Sequence, residues 1–98
     1  MAVLSVQTVA RQMSPVFRSY GVRRAVLFGS VAKGTHTEKS DLDVLVDSRL
    51  TGLRFVGLLE ALQQVTGMRV DLLDVSHLER GSTAEEEIER SGVVIYEE

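Results

Sequence analysis

The chain has 98 residues, enough for one domain around a single core and too few for a second of useful size. With 44% hydrophobic and 26% charged residues it is not a disordered chain, and a net charge of -3 gives no general attraction to nucleic acid or anionic membrane. Cysteine is absent, which excludes disulfides, thiolate metal sites and cysteine nucleophiles.

The first element expected is a helix, because Val6, Val9, Ala10, Met13, Val16, Phe17 and Tyr20 recur at helical spacing. Pro15 interrupts it: either the helix kinks there, or a second one starts with Ser14 as its cap. Gly21 closes the segment, and "RRAVLFGS" reads as a short strand ending in a turn. "GTHTEKS" is a loop by composition, and "DLDVLVD" (41–47) is a mostly buried strand.

A second helix is expected from about Thr51 to Thr66, with Phe55, Leu58, Leu59, Leu62 and Val65 on one face and Gly67 as the stop. "MRVDLLDV" is a third strand. Ser82 stands three residues before Glu85, a capping box that opens a last helix ending at Gly92. "VVIYEE" makes the final strand. The order predicts an α+β fold, a small mixed sheet with helices packed mainly on one face. No apolar stretch reaches membrane-spanning length, and "MAVLSVQTVARQM" lacks the apolar core of a signal peptide, so a soluble, cytoplasmic protein of one domain (1–98) is expected.

Two acids one residue apart in a strand, Asp41 and Asp43, project from the same face. Alone they repel; a divalent cation between them reverses that preference. Oxygen ligands with room for water and phosphate suit Mg²⁺ better than zinc or copper, and Asp71, near the start of another apolar run, is the natural third ligand. Asp74 lies three residues further on and so faces the other way, while Asp47 is a strand-end charge. Upstream, Gly29 and Ser30 follow a strand and lead into "SVAKG", where a short helical turn could direct backbone N–H groups at a phosphate. Gly29 lets the main chain approach closely and the Ser30 hydroxyl can donate to a phosphate oxygen. Lys33 stands beside the expected phosphates, and Ser40 could brace the loop before Asp41 or contact the ligand directly.

Other readings of these residues fail. The position after Gly34 is Thr35, so the lysine of a P-loop is missing, and Val46 occupies the place where an EF-hand turn needs glycine. His36 and His77 sit in separate polar loops without metal-ligand spacing and are expected to be bystanders. "EEEIER" reads as a solvated helix face.

Gly29-Ser30, ten residues, then Asp41-x-Asp43 resembles the signature of the DNA polymerase beta-like nucleotidyltransferase superfamily. The string "LFGSVAKGTHTEKSDLDVLVD", with "VDLLD" and the closing "EIERSGVVIYEE", is similar to its minimal nucleotidyltransferase (MNT) branch. That resemblance covers nearly the whole chain and implies a nucleotidyltransferase fold. It further implies an antitoxin of the HEPN/MNT type, which binds an HEPN ribonuclease and transfers AMP from ATP to a tyrosine near the toxin's active site. Asp41, Asp43 and Asp71 would then be the metal-binding and catalytic triad, holding two Mg²⁺ ions, and Gly29 and Ser30 the phosphate-binding pair. Many relatives carry arginine where this chain has Lys33, which keeps the charge but loses the bidentate fork.

Two alternatives stand beside this reading. One is an antitoxin that neutralises its partner by binding alone, with a silent nucleotide site; the other is a nucleotidyltransferase acting on a small molecule such as an aminoglycoside. Neither a membrane nor a long nucleic acid is an expected partner, while homo- or hetero-oligomers are compatible with the size.

Overall fold

A computed structural model describes residues 5–35, 37 and 40–98; His36 lies outside them. The Ser5 hydroxyl accepts the Thr8 amide at 3.1 Å and so starts helix α1 (Val6–Ser19). Pro15 sits inside this helix, which continues through it. Ser14 is therefore not the cap of a second helix: its hydroxyl donates to the Ala10 carbonyl at 2.6 Å. Val9, Met13 and Phe17, at four-residue spacing, are fully buried, which fixes the inward face and outweighs the hydrogen bond that Pro15 cannot donate.

Four strands follow: β1 (Arg24–Phe28), β2 (Leu42–Asp47), β3 (Val70–Asp74) and β4 (Val93–Glu97). Their spatial order is β3-β2-β1-β4. β1 pairs antiparallel with both β2 and β4, while β2 and β3 run parallel. A parallel pair needs a crossover, and helix α3 (Gly52–Thr66) supplies it. It ends at Gly67, which adopts the left-handed conformation and donates its N–H to the Gln63 carbonyl. Leu58 and Leu62 are fully buried and Phe55 and Leu59 pack beside them, as the sequence periodicity predicts. Val65 departs from that reading: it turns outward and is 41% exposed, with Leu53 and Val56 also exposed on α3.

The two faces of the sheet are covered differently. Ala25, Leu27, Val44, Val46, Val70 and Ile95 face α1 and α3 in the main core. Val26, Phe28 and Leu45 point to the other face, where Ala84 and Ile88 of helix α4 (Thr83–Ser91) cover them. Ser82 caps α4 by accepting the Glu85 amide at 3.2 Å, but the returning Glu85 carboxylate takes the Gly81 amide rather than that of Ser82. No helix among the described residues is long and apolar enough to cross a membrane.

Asp74 is 3% exposed and points, as expected, away from Asp71. One oxygen accepts the Ser48 amide (3.1 Å) and hydroxyl (2.7 Å); the other accepts those of Ser76 (2.9 and 2.7 Å). Burial pushes its pKa up, but the hydrogen bonds from Ser76 and Ser48 outweigh it and hold the group below its ordinary 3.8. The carboxylate ties the end of β2 to the 3-10 turn (Val75–His77) after β3, a structural task. His77 is exposed on that turn.

Candidate active site

The site is built where β1 ends. Phe28 is still extended, and Gly29 turns the chain with φ +77° into a short helix, α2 (Gly29–Lys33). A side chain is excluded at Gly29 on two counts. The φ lies in the left-handed region, and an added Cβ would collide with the Asp43 carboxylate, whose Cγ would be only 3.0 Å away. The glycine thus lets the α2 turn lie directly against the acid on β2. α2 has no side-chain cap, so its first-turn amides depend on water or a ligand. At its other end Gly34 is left-handed and Thr35 donates its amide to the Ser30 carbonyl at 2.9 Å.

The acids are brought together by register. Asp43 pairs with Asp71 across the parallel β2–β3 ladder, and with Phe28 across β1. Directly opposed residues share a face, so the two carboxylates leave the sheet side by side, about 5 Å apart at their backbones. Asp41 precedes β2 by one residue and is partly buried. Asp43 is also partly buried, and its pKa is raised from 3.8 to about 6, first by desolvation and then by the charges of Asp71, Glu87 and Asp41. This accumulation of hard oxygen charge at one half-buried group is what a divalent cation neutralises, so the donor set fits Mg²⁺. Among the described residues no three His, Asp or Glu side chains form a ready-made cage.

Ser40 braces the approach to β2: its hydroxyl accepts the Thr37 amide at 2.8 Å, and its own amide donates to the Thr37 carbonyl. Lys33 is exposed in the last turn of α2 and forms no ion pair with a described carboxylate.

Comparison with known proteins gives the family. The profile of the nucleotidyltransferase domain family covers residues 10–95. The chain belongs to the nucleotidyltransferase domain family. It is 42% identical over 64 residues to the protein adenylyltransferase MntA of Thermococcus cleftensis, covering 63% of this chain and 65% of the relative. A Methanocaldococcus jannaschii protein provisionally named a protein adenylyltransferase is 35% identical over 72 residues, 71% of this chain and 77% of its own length. Among solved structures, one provisionally described as a minimal nucleotidyltransferase superposes with a TM-score of 0.73 at 30% identity, over 95% of this chain and 98% of that one. A toxin-antitoxin complex with AMP-PNP gives 0.75 at 22% identity, over 91% and 73%. The complex of a tri-AMPylated Shewanella oneidensis HEPN toxin with its MNT antitoxin gives 0.69 at 19% identity, over 95% and 73%.

One residue of this nucleotidyltransferase site escapes sequence reasoning. Glu87 reads as part of a solvated acidic face, yet it follows Ala84 by three and precedes Ile88, so it flanks the inward side of α4 and is partly buried. Its charge bears on Asp43 ahead of that of Asp41. The helical spacing from Ala84 was the available signal; that α4 crosses to the acidic face of the sheet is tertiary information.

Proposed function

We infer that this nucleotidyltransferase transfers AMP from ATP to a hydroxyl, that of a tyrosine, on a partner HEPN toxin, and that it acts as the antitoxin of that pair. The observation that carries this reading is the Asp43–Asp71 carboxylate pair set against the Gly29 turn. The named activity of the Thermococcus relative and the AMP-PNP and HEPN complexes of similar fold support it.

In this reading the first-turn amides of α2 and the Ser30 hydroxyl hold phosphate oxygens, and Gly29 keeps that turn close to Asp43. Lys33 adds a positive charge from the last turn of α2. Asp41, Asp43 and Asp71 would hold magnesium, two ions in the full reaction, which when bound supplies charge neutralisation at the α-phosphate and the leaving pyrophosphate. The tyrosine oxygen bonds to the α-phosphorus as the bond to the bridging oxygen of pyrophosphate breaks. Asp71, the more exposed carboxylate, takes the phenolic proton directly or through water. Holding the two reactants in line is the protein's main contribution.

The test is incubation with ATP labelled at the α-phosphate, Mg²⁺ and a candidate HEPN partner protein. Label on the HEPN protein, lost with Asp43→Ala, is the expected result. Tight binding of the partner without label under any condition would favour neutralisation by binding alone.

A further inference from the structure

We propose that Arg69, the residue immediately before β3, is a specificity-determining residue that grips an anionic group beside the acceptor hydroxyl. This rests on the adenylyltransferase reading above and assigns the acceptor side of that same site.

The placement of Arg69 follows from the ladder. β2 and β3 pair from Leu42↔Val70 onward, the Leu42 amide donating to the Arg69 carbonyl at 2.9 Å, and the parallel register continued one step back reaches Asp41 and Arg69, each just outside its strand. In that continued register Arg69 stands beside Asp41. Val70 and Leu72 pack in the α1 and α3 core, while Asp71 points to the other face; the same alternation, continued one residue back beyond the strand end, assigns Arg69 to the face of Asp71 and Asp43. Its side chain is exposed. Although Asp41 and Asp71 flank it, Arg69 forms no ion pair with any described carboxylate; the ion pair seen among the described residues, Arg24 with Glu97, lies at the opposite end of the strands.

The sheet order then separates donor from acceptor. The α2 turn follows β1 and touches Asp43 from that side, so the polyphosphate belongs to the β1 side of the acids. β3 is the edge strand on the other side, with no strand beyond it among the described residues. An incoming macromolecule reaches Asp71 over this edge, and Arg69 is the guanidinium it meets there. A planar, five-donor fork suits a carboxylate or a phosphate diester bidentately. Two sources carry that chemistry: an acidic side chain next to the acceptor tyrosine, or the phosphodiester of an AMP already transferred. In the first case Arg69 governs every transfer, in the second only those after the first.

The experiment measures AMP transfer to the HEPN protein of the previous assay, supplied unmodified and singly adenylylated, with added AMP counted by intact mass. Wild type is compared with Arg69→Lys, Arg69→Ala and Arg69→Glu, each checked by melting temperature. The expected result is an acceptor KM raised about tenfold by Arg69→Ala and further by Arg69→Glu, with the KM for ATP and the melting temperature unchanged. Arg69→Lys, which keeps the charge without the fork, falls between wild type and Arg69→Ala. Loss on both acceptor forms identifies the acidic side chain; loss confined to the adenylylated form identifies the phosphodiester. The proposal is overturned if Arg69→Glu leaves acceptor KM and AMP count as in wild type, or if the ATP KM rises instead. A wild-type protein that transfers no AMP overturns the parent reading and this one with it.

Discussion

Asp71 and Asp74 stand three residues apart in one strand and live in opposite surroundings. Asp74 faces the side sealed by α1 and α3, where four donors from Ser48 and Ser76 meet its two oxygens and hold its pKa down. Asp71 faces the side only partly covered by α4, where it meets Asp43 and helps to push that carboxyl up to about 6. A satisfied buried carboxylate is structural, whereas carboxylates that face one another with no donor among the described residues are the pair that the proposed function assigns to a cation and a substrate. The difference lies in partners, not in residue type or strand.

The comparison can be broken most severely at Asp43. Asp43→Ala should lower AMP transfer by about a thousandfold or more while leaving the fold intact, measured by label transfer alongside circular dichroism. Asp74→Ala should do the reverse, destabilising the protein by about 3 kcal/mol in urea unfolding because four donors lose their acceptor, with residual transfer by the folded fraction. Equal stability losses at the two positions would erase the distinction. Gly29→Ala should cost about 2 kcal/mol through its left-handed φ, and transfer should fall with it because the added Cβ displaces Asp43.

The smallest effect is also the sharpest, because the two acids carry opposite pH signs. Asp43 has a folded-state pKa above its unfolded value, so its favourable contribution is complete below about pH 4 and is lost as the pH rises through about 6. Without metal, Asp43→Asn should therefore melt above wild type at pH 7 and level with it at pH 4. Asp74 has a folded-state pKa below the unfolded value. Its contribution is present above about pH 4 and is lost as the pH falls through the lower folded value, so Asp74→Asn should differ least from wild type in strong acid. Melting curves across pH 3 to 8, a range set by these two pKa values, distinguish the pair.

Much of this was legible in the chain. Seven of the elements follow from periodicity and caps, such as Val9, Met13 and Phe17 on α1 or Ser82 before α4. Pro15 was ambiguous because its missing donor argues for a break, while the fully buried Val9 and Met13 before it and Phe17 after it favour one continuous helix. Val65 fits the apolar periodicity of α3 but lies in its last turn, where it points outward instead of into the core. Glu87 could not be assigned to the site from spacing alone, since a helix face has no function until something packs against it.

The sequence by itself determined that Asp71 and Asp74, three residues apart in one strand, point to opposite faces, because the strand repeat of two is a property of the local backbone. That position 29 admits only glycine was decided by the tertiary structure, through its left-handed φ and the Asp43 carboxylate set against it. Which acid meets which was decided by the tertiary structure alone. Placing Asp43 beside Asp71, α4 over the same face and Arg69 at its edge depends on sheet order and register, which are set by burying residues far apart in the chain against one another.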